Sequence, residues 1–333
     1  MKKKKDICHA LEFAKQLEIE KPWIQDLQKC EDVFRHCTPI LKKRGYDQDA
    51  EETPTLARIA FTVNWWLKTK QCYSITEALA DDLFAMEDLS FPLDAMHLPF
   101  PCFYLDMEPF SDHYKDMDGN RLLGYYVLID DVPYGDSVVV SCCSVATLLM
   151  RENGQYAYGG ATFDYDPEHM DLSLNDTVTK IAESMPESRQ HIANALLFAA
   201  YLSSAQPEVV EDEAQKKIYR PSEKHKYSSI RKWDVGVRYM QEKQAYAKRQ
   251  EYIANTSTLD PGMQDTADEK QKRRSPRPHM RKAHWQTYRI GHGRKEKKVL
   301  WIPPVPVGIS GIADSDQKYG NIPAVVRERK EKL

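Results

Sequence analysis

Three features of the sequence predict an α+β fold. Apolar residues recur at helical spacing over the first hundred positions, β-rich runs crowd together after Pro99, and helices then return without regular alternation. The expected architecture is a set of amino-terminal helices, a central mostly antiparallel sheet with packed helices, and a basic carboxy-terminal β-hairpin region.

A first helix is expected from Pro22 to about Lys43. In the next, Thr53 suits the cap and Pro54 the first helical position, and Leu56, Ile59, Ala60, Val63 and Leu67 follow on one face. Ser74 and Glu77 read as a capping box ahead of an amphipathic run through Leu79, Leu83 and Met86. Past Pro99, strands are expected at Cys102–Met107, Leu122–Ile129 and Ser137–Val145, with a fourth at Ala161–Tyr165. Asp118-Gly119-Asn120 supplies the turn between the first two. Helices follow at Leu174–Glu183 and Glu187–Ser203. The second is almost wholly apolar from Ile192 to Leu202 and should be buried on most sides.

Polar residues with Pro207 and Pro221 then mark a linker at 206–229. This separates a body over 1–205, helical to 95 and strand-rich from 96, from a basic region over 230–333. Trp233, Val235, Val237 and Tyr239 alternate as one half-buried strand would, and a charged helix to about Ile253 follows. Residues 255–272 hold little that could pack and are expected to be mobile.

Composition narrows the function. With 41% hydrophobic and 29% charged residues the chain is of the globular kind, and it has no apolar run long enough to span a membrane. The basic start MKKKK lacks a signal-peptide core, because Glu12, Lys15 and Glu18 interrupt it, so the cytoplasm is the expected location. The seven cysteines are irregularly spaced between Cys8 and Cys143 and read as reduced, packed thiols; adjacent Cys142 and Cys143 should face opposite sides of a strand. The net charge of -3 hides a polarity: Ala214 to Leu300 carries +14, and the rest of the chain -17. A basic segment of that density meets an anion, either nucleic acid or an acidic protein surface, and the competing reading is that it docks on the acidic part of its own chain.

The segment from Arg273, RRSPRPHMRKAHWQTYRIGHGRKEKKVLWIPPVPVG, carries most of the signal. Pro276 and Pro278 impose an extended entry. A strand over Arg281–Ile290, a turn over Gly291–Lys295 and a returning strand over Lys297–Ile302, ended by Pro303-Pro304, make a hairpin at 281–302. Cations interleaved with rings bind phosphates and stack bases, or grip an acidic peptide through arginine–carboxylate forks. The candidate binding residues are Arg273, Arg274, Arg277, His279, Arg281, His284, Trp285, Tyr288, Arg289 and Trp301. Trp285 and Trp301 also fit the competing role of hairpin core. His279, His284 and His292 lack the cysteine or carboxylate company of a metal site. His279 and His284 could alternatively serve as acid and base of a metal-independent ribonuclease. Asp116-Met117-Asp118-Gly119 fails as a calcium loop, since tyrosines hold its first and last ligand positions, and Asp130-Asp131 and Asp164 with Asp166 read as strand-end solubility. With no phosphate-binding glycine loop, nucleophile elbow or His-Glu-x-x-His, no cofactor is expected and binding is expected over catalysis.

Ser275-Pro276-Arg277-Pro278-His279, Arg281, Ala283-His284-Trp285 and Leu300-Trp301-Ile302-Pro303-Pro304 resemble the carboxy-terminal signature of a type V-A anti-CRISPR family carried by phages and other mobile elements. Gln286 stands where a second histidine is expected and Arg289 where an aromatic is, which speaks against a histidine site and leaves a binding hairpin intact. The resemblance implies a protein that lowers production of the type V-A CRISPR effector nuclease. It would recognise the effector's nascent amino-terminal region and promote loss of its mRNA, engaging that message, the ribosome or a host ribonuclease, with no membrane involved.

Overall fold

A computed structural model describes residues 8–17, 39, 52–116, 118–134, 138–164, 173–184, 186–211, 230–257 and 279–307. The expected helix at 22–43 apart from Pro39, the stretch expected to be mobile at 255–272 apart from the helix end at 255–257, and Arg273, Arg274 and Arg277 lie outside those residues. The fold is α+β. One mixed sheet of seven strands runs in the order β5-β4-β3-β2-β1-β7-β6, with β1 Gln71–Ile75, β2 Cys102–Asp106, β3 Arg121–Tyr134, β4 Val138–Met150, β5 Tyr156–Asp164, β6 Val209–Glu211 and β7 Arg231–Val235. β1 is parallel to both β2 and β7, and every other pairing is antiparallel.

Period-two alternation splits the apolar residues between two cores. On one face, α1 (His9–Gln16) and α2 (Glu52–Thr69) cover Cys72, Cys102, Tyr104, Tyr126 and Cys142 with Phe13, Ile59, Val63 and Trp66. The other face carries Tyr73, Phe103, Leu105, Val127, Cys143 and Val235. It is covered by α3 (Glu77–Phe84), α4 (Leu174–Ser184) and α5 (Arg189–Ser203). Cys142 and Cys143 do face opposite cores, and all five described cysteines are free thiols. Burial pushes the Cys8 thiol up to about 11 and those of Cys72, Cys102 and Cys143 well above their ordinary value, which keeps them protonated and inert. α5 is buried along its whole length from Ile192 to Leu202, as its composition predicts. No helix among the described residues is long and apolar enough to cross a membrane.

Two sequence expectations are corrected. Ser74 does not cap a helix. It sits in β1, a strand buried on both faces, and the cap position belongs to Thr76, whose hydroxyl donates to the Gly236 carbonyl at 3.0 Å instead. The run Trp233 to Tyr239 is not one strand. β7 ends at Val235, Gly236 takes a φ of +81°, and α6 (Val237–Ser257) begins. The Glu208 carboxylate accepts the amides of Arg238 and Tyr239 at 2.5 and 3.0 Å, capping α6 from about thirty residues upstream. Within the stretch read as linker, Val209–Glu211 form β6, the sheet edge beside β7.

The carboxy-terminal strands are β8 (His279–Arg281), β9 (His284–Ile290), β10 (Glu296–Ile302) and β11 (Val305–Val307). β9 pairs with β10, and β8 with β11, both antiparallel. Ile302↔His284 and Val305↔Arg281 belong to a single register, so these are two lengths of one hairpin. Pairing lapses at Lys282–Ala283 opposite Pro303–Pro304, which have no N–H to donate, and resumes beyond. The prolines therefore interrupt the hairpin where they were expected to end it.

Candidate functional site

The β9–β10 hairpin is clamped to the body at its base and stands free at its tip. Trp285 and Trp301 are direct cross-strand partners, and both are buried. The Trp285 ring meets Phe91 edge-on at 5.1 Å. Trp301 packs edge-on against Tyr201 of α5 at 5.6 Å and Tyr239 of α6 at 5.5 Å, with its indole N–H 3.1 Å from the Met86 sulfur. The Ala205 amide donates to the Val299 carbonyl at 2.8 Å. Both tryptophans thus fill the core role, and neither offers a ring to a partner. The hairpin face they occupy belongs to the same apolar cluster as the sheet.

From Gln286 to Lys297 every residue is exposed. The outward face presents Tyr288 and Ile290, two of the three large apolar side chains exposed among the described residues, at 38% and 41%. The turn at Gly291–Lys295 falls where the sequence placed it. Gly291 and Gly293 take φ of +79° and +71°, and a Cβ on Gly291 would collide with the Glu296 carboxylate. Register sets Arg289 directly against Lys297, and Tyr288 against Lys298. Like charges opposed across a strand pair cost stability, and the ion pair of Lys297 with Asp94 offsets part of that cost.

The charge polarity of the sequence resolves into two parts. Two of the cations dock on the chain's own acids: Lys282 pairs with Glu87 at 3.0 Å, and Lys297 with Asp94 at 2.5 Å. Toward the tip, exposed Arg289, Arg294 and Lys295 and half-buried Lys298 have no carboxylate partner among the described residues. Self-docking therefore accounts for part of the hairpin's charge and leaves Arg281, Arg289, Arg294, Lys295 and Lys298 without an acidic partner among the described residues.

Of the residues singled out from sequence, the hairpin brings together His284, Trp285, Tyr288, Arg289 and Trp301, with Arg281 just past the proline gap. His284 is half-buried near the base, with Nδ1 3.2 Å from the Lys282 carbonyl, while His292 stands at the exposed tip. The backbone positions of His279 and His284 are five residues apart along the strand run, roughly 16 Å at strand rise. Asp116 builds its own turn, accepting the amides of Asp118 and Asn120 at 3.0 and 2.8 Å.

Sequence reasoning missed the acids that meet the hairpin. Asp82, Glu87 and Asp88, at the end of α3 and just after it, line a cleft of about 480 Å³ whose other side is Arg281, Lys282 and His284. The only trace in the sequence was a cluster of acids after an amphipathic helix, about two hundred residues from its partner.

A family model described as AcrVA2-like, the anti-CRISPR type V subtype A2 family, matches residues 73–309. A solved structure, the crystal structure of AcrVA2, aligns over 89% of this chain and 96% of its own, with a TM-score of 0.52 and 17% identity, a likeness of fold. No curated protein matches.

Proposed function

Because this chain belongs to the AcrVA2-like family of type V-A anti-CRISPR proteins, we propose that it lowers production of the type V-A effector nuclease by recognising the effector's nascent amino-terminal region and promoting loss of its message. It does so as a binder, in the cytoplasm of the bacterial host where that message is translated. The observation that carries this reading is the hairpin tip. Exposed Arg289, Arg294 and Lys295 and half-buried Lys298 have no carboxylate partner among the described residues, on the same hairpin as exposed Tyr288. Unpaired cations on a projecting, ring-bearing finger suit RNA: phosphates bind the charges, and a base stacks on the tyrosine. The acid-rich body supplies the peptide-binding half.

The test follows effector protein and message in cells making a type V-A effector, with and without this protein. Both are expected to fall. Synonymous recoding of the effector's first codons is expected to leave the fall intact, and changing the encoded residues to abolish it. Steady levels of both would sink the mechanism. A fall that tracked the codons rather than the residues would shift recognition to the RNA.

A further inference from the structure

The cleft at the proline gap has chemistry that the hairpin tip lacks. One side is acidic, with Asp82, Glu87 and Asp88; the other is cationic, with Arg281, Lys282 and His284; apolar Met86 and Pro304 complete it. Its volume, about 480 Å³, lies in the range of sites that hold small ligands or short peptide segments. The gap creates it: Pro303 and Pro304 deny the ladder two donors, and the strand pair opens beside the end of α3.

The polar groups in the cleft are unequally committed. Asp82 is held by Lys243 at 2.6 Å and by the Tyr239 hydroxyl at 2.5 Å. One Asp88 oxygen accepts the Ser90 amide at 3.0 Å, and the other has only a long 3.5 Å contact from the Trp285 amide. Arg281 has no ion-pair partner among the described residues. The Lys282–Glu87 bridge joins the two sides, with both side chains about four-fifths exposed, so it opens at little cost.

We propose that this cleft seats an extended peptide of mixed charge, an acidic side chain on Arg281 and a donor group on Asp88, displacing the Lys282–Glu87 bridge. This rests on the reading that the protein grips a nascent chain, and it places that grip. An RNA phosphate seated there would meet the Asp88 and Glu87 carboxylates as well as Arg281, while an extended peptide supplies backbone N–H donors for Asp88 and a carboxylate for the arginine fork.

The experiment is fluorescence anisotropy of the full chain with a labelled synthetic peptide copying the effector's amino-terminal segment. Arg281→Glu and Asp88→Lys are each expected to weaken binding by about tenfold or more. The double exchange Lys282→Glu with Glu87→Lys keeps a bridge but reverses both sides, and is expected to weaken binding as well. A purely structural bridge would be restored by that exchange. Glu152→Lys, on an exposed turn between β4 and β5, is expected to bind as the parent does, and matched thermal melts show that every variant folds. If the parent binds and the cleft variants bind equally well, the cleft is not the site, and the nascent-chain reading survives. No binding by the parent removes the peptide step itself, and the cleft proposal with it. Loss of RNA binding rather than peptide binding in the cleft variants overturns the peptide as occupant.

Discussion

Gly124 and Tyr104 show how much one position can depend on the strand beside it. A Cβ on Gly124 would lie 2.4 Å from the Tyr104 hydroxyl and 2.3 Å from the Leu105 carbonyl, so the phenol passes where a side chain would be. Gly124→Ala is expected to destabilise the protein by about 1–3 kcal/mol, read as a lower urea midpoint, because backbone and a fully buried ring must shift. His191 gives a second residue-level test. Its Nδ1 lies 3.0 Å from the Tyr125 hydroxyl, and burial lowers its pKa below the ordinary 6.5. Below about pH 6.5 the unfolded chain takes up a proton that the folded one refuses, so stability is complete above that pH and falls as pH drops toward the folded pKa. The melting temperature should decline between pH 7 and 5, and His191→Gln should flatten that decline. Neither dependence was legible in the sequence, since each is a contact between residues brought together only by the fold. The burial of Ile192 to Leu202, by contrast, was legible, because an unbroken apolar run allows no exposed face.

The hairpin is the element that the sequence described best. Its strands, its glycine turn and its inward tryptophans follow from alternation, positive-φ glycine and ring size. The sequence did not say which of its cations would be consumed by docking, because Glu87 and Asp94 lie about two hundred positions away. Base and tip should therefore separate in experiment. Trp301→Ala removes a ring held by Tyr201 and Tyr239, and is expected to cost about 3–5 kcal/mol in denaturant unfolding. Replacing Arg289, Arg294, Lys295 and Lys298 with Ala should leave the melt nearly unchanged, and relieve the Arg289–Lys297 opposition. The same variant is expected to flatten the salt dependence of single-stranded RNA binding. At about 0.7 per phosphate contact, four lost contacts reduce the log–log slope by about 3. An unchanged slope would remove the tip from RNA recognition. The capping-box error at Ser74 has a related cause: a short strand buried on both faces shows no alternation, and a Ser-x-x-Glu spacing beside it mimics a helix start.

Across the whole molecule, charge polarity was visible from the residue counts, but its partition into docked and free parts required the fold. The family assignment, foreshadowed by some thirty-five residues around the hairpin, extends over 73–309 and so takes in the sheet as well. That sheet has a consequence for how the protein is made. β2 to β5 form an antiparallel meander of neighbours in sequence and can assemble soon after they leave the ribosome. β1 cannot finish so early, because the strand on its other side, β7, arrives 160 residues later, Gln71 pairing with Arg231. Until then β1 carries an open, apolar edge, the kind that recruits foreign strands. Chains stopped before Arg231 are expected to sediment as aggregates, and chains extended through α6 to remain in solution. A protein proposed to act on another chain during translation thus has a late-closing seam in its own.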